Sequence, residues 1–118
     1  MRLLCLALLA LAALAQAQET PRHFLLEFEL GPGVDLAHLT QPQMAVFQQH
    51  AAQLMKLRDE GVVIVGGHTD NPLHVRAFVI VKAKDAPAAR TLADSDPAVK
   101  AGLLKPTVES FTLAIPPK

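Results

Sequence analysis

Residues 47–67 read FQQHAAQLMKLRDEGVVIVGG, a helical pattern that stops on a glycine and passes straight into a β-branched run. Phe47, Leu54 and Leu57 recur at helical spacing and share one face. His50 lies on that same face, three residues after Phe47 and four before Leu54. The spacing predicts a helix from about Pro42 to Glu60, with Met44, Phe47, His50 or Ala51, Leu54 and Leu57 turned inward. Thr40 is a candidate cap and Pro42 suits the first turn. Gly61 suits a left-handed residue at the helix end. VVIVGG is too short and too β-branched to continue the helix, and it reads as a strand.

Upstream, HFLLEFEL (residues 23–30) alternates, with Phe24, Leu26, Phe28 and Leu30 on one face and His23, Leu25, Glu27 and Glu29 on the other. Gly31-Pro32-Gly33 breaks this strand, and VDLAHLTQPQ connects it to the helix. Downstream, HTDNP has the turn chemistry of Asp70, Asn71 and Pro72. LHVRAFVIVKA is the next strand, and a second helix starts at Asp85 or Ala86 with Pro87 in its first turn. DPAVKAG predicts one more helical turn ended by Gly102, and PTVESFTLAI the last strand.

The order strand, helix, strand, strand, helix, strand predicts an α+β, ferredoxin-like sandwich: two helices on one face of a four-stranded antiparallel sheet. The other sheet face would carry Leu, Val and Phe beside Glu and His. Large exposed apolar patches are uncommon on soluble monomers, so a second copy packed by two-fold symmetry is expected to cover it. The expected assembly is a homodimer with its two sheets face to face.

The first residues, MRLLCLALLALAALAQAQ, do not belong to this pattern. Arg2, an apolar run from Leu3 to Ala15 and the small-residue pattern Ala15-Gln16-Ala17 make a secretory signal peptide over residues 1–17, leaving one domain over 18–118. The run is short of the about 20 apolar residues that span a bilayer. The protein is expected to be exported to a bacterial periplasm or secreted, with no membrane contact after cleavage. Cleavage would remove Cys5, the only cysteine, so no disulfide is expected. The 11 basic and 11 acidic side chains balance. No basic patch or charge run points to nucleic acid or an anionic membrane.

Three places carry candidate chemistry. His50 is either a core-edge histidine bonded to a backbone carbonyl or a base presented to a cleft. In DSDPAVKAG, Asp96 before Pro97 has the form of a helix cap. The end of the second helix lies beside the first helix in this fold, so the Asp96 carboxylate could also accept the imidazole N–H and leave the other ring nitrogen free as a base. In GGHTD, Gly66 and Gly67 either form a tight turn or let backbone approach a ligand, and His68 is a candidate pocket wall. Glu27 and Glu29 share a strand face, as paired acids or as ordinary solvated positions. The five histidines form no HxH, HExxH or Cys/His cluster, and no GxSxG or P-loop occurs, so neither a metal nor a cofactor is expected.

His50 followed by Gly61 in HAAQLMKLRDEG, then VVIVGG, an alanine-rich helix and DSDPAVKAG together resemble the YciI-like (YCII-related) family, from about Phe24 to Ile115. The resemblance implies a ferredoxin-like protomer that pairs into a dimeric α/β barrel, and a His–Asp active-site pair that falls on His50 and Asp96. Members of that family include a dehydrochlorinase of chlorinated hydroxyquinols. The chain departs from the family pattern at Gly67-His68, where Gly-Pro is common, and at Ala98, where an aromatic often follows Asp-Pro. The expected function is that of an exported acid–base enzyme, hydrolase or dehydrochlorinase-like, on a small cyclic or phenolic ligand. The alternative is a non-catalytic dimeric module that binds a small ligand or is purely structural.

Overall fold

A computed structural model describes residues 22–118; the signal peptide expected over 1–17, with Cys5, lies outside the described residues. The elements are β1 (Arg22–Leu30), a single 3-10 turn (Leu36–His38), α1 (Gln41–Asp59), β2 (Val63–His68), β3 (Arg76–Ala83), α2 (Ala86–Asp94), a one-turn α3 (Pro97–Lys100) and β4 (Leu104–Phe111). All strand pairs are antiparallel, in the order β2-β3-β1-β4. This is the ferredoxin-like α+β architecture that the sequence predicts.

β1 sits inside the sheet because its alternation serves a single buried face. Phe24, Leu26 and Phe28 are each 2 % exposed and lie under the helices. Full burial of such side chains stabilises by about 1.5–3 kcal/mol each, so these three anchor the core. Val79 and Val81 of β3 continue the same layer, and Ala89, Ala93 and Ala98 let α2 and α3 approach closely.

Local chemistry sets the helix ends. Thr40 and Gln43 form a reciprocal capping box at the start of α1. Gly61 follows the helix at φ +77°, a conformation that glycine adopts without Cβ strain. Asp85 caps α2, and Asp96 caps α3 by accepting from the Ala98 N–H at 2.8 Å. Gly31 donates to the Leu103 carbonyl at 2.8 Å, and a Cβ there would overlap the Gly102 carbonyl oxygen. The exit of β1 is thereby clamped against the turn that leads into β4.

Four expectations need correction. Met44 is 43 % exposed, and Val46 takes its place beside Phe47, Leu54 and Leu57. Steps of three from His50 through Phe47 to Met44 rotate by about 120° on a helix of 3.6 residues per turn, which carries Met44 off the inner face. Ala51, the other option for that face, is also exposed; His50 is the more buried. Leu73 is 95 % exposed and precedes β3, because Asn71 accepts from Leu73 and His74 in a turn and postpones pairing until Arg76. The last strand starts at Leu104 and stops at Phe111, with its register set by β1, and Pro106 is tolerated because β4 is an edge strand.

The fourth correction concerns the turn reading of Gly66 and Gly67 and the loop reading of His68: the strand read over VVIVGG runs on through His68, so all three lie in β2. They pair with Val79, Phe78 and Ala77. The register shifts between Val63 and Val65, so Ile64 is an extra residue in the strand. A one-residue slip exchanges the two faces of a strand. Val63 faces the helices with Val81; beyond the bulge Val65 joins Ile80 on the open face, while Gly66 and His68 return to the helix side. Val65 is accordingly 58 % exposed.

Candidate functional site

His50 stands on α1 over Phe28, near the end of β1. The Phe28 and Phe47 rings meet it edge to face, at centroid distances of 5.8 and 6.4 Å. These contacts fix the plane of the imidazole. Its Nδ1–H donates to Asp96 Oδ2 at 2.6 Å, across forty-six residues of sequence. Asp96 is 3 % exposed, and its two oxygens are divided between tasks: Oδ1 caps α3 and Oδ2 holds the ring. Asp96 thus makes the helix cap and the imidazole hydrogen bond at the same time. With Nδ1 protonated, Nε2 carries the lone pair; it makes no hydrogen bond to the described residues and is not among their buried unpartnered atoms.

His50 borders a cavity of about 390 Å³ between α1 and β2. That volume suits a small molecule. Leu54, Met55, Val63, Ala77 and Val79 give it apolar walls. Gly66 and Gly67 line it with bare backbone, and a Cβ on Gly66 would press on the Phe78 carbonyl oxygen at 3.1 Å. His68 reaches the same cavity through the bulge. Its Nδ1 lies 3.2 Å from the Thr69 carbonyl oxygen and 3.7 Å from Asp70 Oδ1. Asp96 does not line the cavity; it stands behind His50.

The structure thus brings His50, His68, Gly66 and Gly67 to one cavity and places Asp96 against His50. Glu27 and Glu29 lie on the other sheet face, where Glu27 accepts from Arg76 at 3.4 Å, so they take no part. Arg58 also lines the cavity, which the sequence reading missed by grouping it with outer-face charges. Its spacing of eight residues from His50, with Leu54 midway, was the available signal. Among the described residues no three His, Cys, Asp or Glu side chains converge as metal ligands, and no helix is long and apolar enough to cross a membrane. Chemically, the arrangement offers one oriented imidazole with an accessible nitrogen at the edge of an apolar cavity.

Among curated protein sequences none matches the chain. Among solved structures it resembles 5-chloro-2-hydroxyhydroquinone dehydrochlorinase from Burkholderia phenoliruptrix AC1100, in complex with 2,5-dihydroxybenzoquinone. That likeness has a TM-score of 0.52 at 23 % identity and covers 76 % of this chain and 93 % of the other, so it speaks for the fold. The sequence profile of the YCII-related domain matches residues 27–111, a span that holds the His50–Asp96 pair, the bulged strand and the whole cavity wall. The chain belongs to the YCII-related domain family.

Proposed function

We propose that the protein is an exported acid–base enzyme acting on a small cyclic or phenolic compound, with His50 as the proton-transfer group and Asp96 as its positioning residue. The observation that carries this reading is the 2.6 Å hydrogen bond from His50 Nδ1 to a buried carboxylate, on a ring that borders a small-molecule cavity. Asp96 selects the tautomer, and Nε2 accepts a proton from an O–H or C–H group held in the cavity. Proton transfer of this kind contributes typically about 10²–10⁴-fold. The family and the dehydrochlorinase neighbour favour hydroxylated rings as first substrates to try.

The direct test incubates the purified protein with 5-chloro-2-hydroxyhydroquinone and follows chloride release and the quinone spectrum. Turnover by the wild type that falls by about 10²-fold or more in His50→Gln and in Asp96→Asn supports the assignment. Turnover that both variants retain refutes it. A protein that binds the ring without turning it over, unchanged by His50→Gln, is the non-catalytic binding module instead.

Two further parts of the proposal concern the molecule's context. Residues 1–17 direct export, and mass measurement of the mature chain should find a start at Gln18. The open sheet face pairs with a second copy: Leu25, Val65, Phe78 and Ile80 lie on that face, interrupted by Glu27 and Arg76. Burying it against its own image would complete a dimeric α/β barrel.

A further inference from the structure

The charges around the cavity are sorted by sign. Three basic side chains line it, His50, Arg58 and His68, and no acidic side chain does. Each base has a carboxylate outside the cavity: Asp96 behind His50 at 2.6 Å, Asp70 beside His68 at 3.7 Å, and Asp59 beside Arg58. The groups on the cavity side are thus donors and bases, and their carboxylate partners lie outside it.

The bases also sit at opposite ends. Arg58 follows His50 by eight residues on α1, about 12 Å along a helix that rises 1.5 Å per residue. β2 turns back along α1 after Gly61, so His68, five residues beyond Val63, returns towards the His50 end of the trough. The two imidazoles therefore mark one end and the guanidinium the other. Apolar Leu54, Met55, Val63 and Val79 lie among them.

Arg58 is free to take a ligand. Its Nε and Nη2 both donate to a single oxygen of the adjacent Asp59, at 3.1 and 2.9 Å, and Nη1 has no hydrogen-bond partner among the described residues. An exposed pair of this kind is weak, so a ligand oxyanion in an apolar trough competes with it readily.

From this arrangement we infer that the cavity takes a compact ring bearing an oxyanion, with Arg58 anchoring the anion and the opposite edge of the ring presented to His50. Arg58 is then the residue that sets ligand charge, and this inference rests on the placement of the reacting end at His50 proposed above. The ring lies along the aliphatic wall, the anionic group meets Nη1 at the mouth, and a hydroxyl at the far edge meets the imidazole Nε2.

The test compares two ligands of nearly the same shape, 4-hydroxybenzoate and 4-hydroxybenzamide, by titration of backbone amide resonances of the whole protein. The benzoate should bind about tenfold or more tightly, as a charge-assisted hydrogen bond predicts, and should shift Gly66, Gly67 and the end of α1. Arg58→Gln should bring the two affinities together, and Arg58→Lys should restore part of the difference. Equal affinities in the wild type, a preference that survives Arg58→Gln, or no binding of either ligand overturns the inference. His50→Gln separates the two ideas. If it abolishes turnover while the wild type shows no charge preference, only the Arg58 anchor fails. If it leaves turnover intact while the preference follows Arg58, only the His50 assignment fails.

Discussion

Asp96→Ala removes two interactions held by one carboxylate. The cap on α3, from the Ala98 N–H to Oδ1 at 2.8 Å, is worth about 1 kcal/mol, with a usual span of about 0.5–2. Losing Oδ2 leaves the part-buried His50 Nδ1–H without its acceptor, at about 1–3 kcal/mol. Together the loss is about 2–4 kcal/mol, a large fraction of the roughly 5–15 that holds a typical domain. For a domain of this size that corresponds to a fall in Tm of roughly 10–30 °C. Asp96→Asn is a different perturbation: its carbonyl can still cap α3, while its amide NH2 donates to His50 and forces the other tautomer. It should cost no more than about 1.5 kcal/mol and still silence a base at Nε2. Urea unfolding followed by circular dichroism on wild type, Asp96→Ala, His50→Ala and the double variant measures the coupling, expected at about 1–3 kcal/mol. An Asp96→Ala protein within about 0.5 kcal/mol of wild type, or strictly additive single changes, would refute the reasoning.

Other expectations can be checked as directly. Gly31→Ala should destabilise by at least about 1–3 kcal/mol, because its Cβ meets the rigid Gly102 carbonyl; an unchanged urea midpoint would contradict that contact. Val65→Glu, on the open sheet face, should leave the circular dichroism unchanged and convert a dimer into a monomer in sedimentation, whereas a monomeric wild type would remove the sheet-to-sheet packing altogether. The Asp35 carboxyl is held below its usual value, first by the His38 side chain at 2.8 Å and then by the Ala37 N–H. A depressed folded-state value means that this local stabilisation is present above the unfolded value and is lost as pH falls through the folded one. In a carboxyl NMR titration, His38→Ala should move Asp35 back up; no movement would assign the shift to another cause.

How much of this was legible in the sequence depended on the kind of signal. Phe24, Leu26 and Phe28 declared β1 because polar residues separated them, and a period of two is visible only by contrast. Gly61 and Thr40 declared the limits of α1 for local reasons; the Gln43 half of the cap came only with the structure. VVIV offers no contrast at all, so nothing in it announced that Ile64 is an extra residue or that His68 would return to the helix side. Leu73 looked like strand because its turn is made by the Asn71 side chain, two residues back. The His50–Asp96 contact was reachable only through the fold, since no local rule joins residues so far apart. Arg58 was missed because a charged residue near a helix end reads as solvated until a cavity is seen beneath it.

The bulge in β2 has a consequence for how the site can change over time. β2 is an edge strand, bonded on one side only. A gained or lost residue there disturbs a single ladder, whereas the same event in β1 would disturb two. With Ile64 taken into the ladder instead of bulging out of it, alternation would run on from Val63: Val65 would turn towards the cavity and His68 would leave it. A one-residue slip of pairing beyond Val63 could therefore exchange a titratable wall for an aliphatic one while Phe24, Leu26 and Phe28 stayed where they are. In this fold the edge strand can act as a cassette, through which ligand preference is rewritten in steps of one residue on an unchanged scaffold.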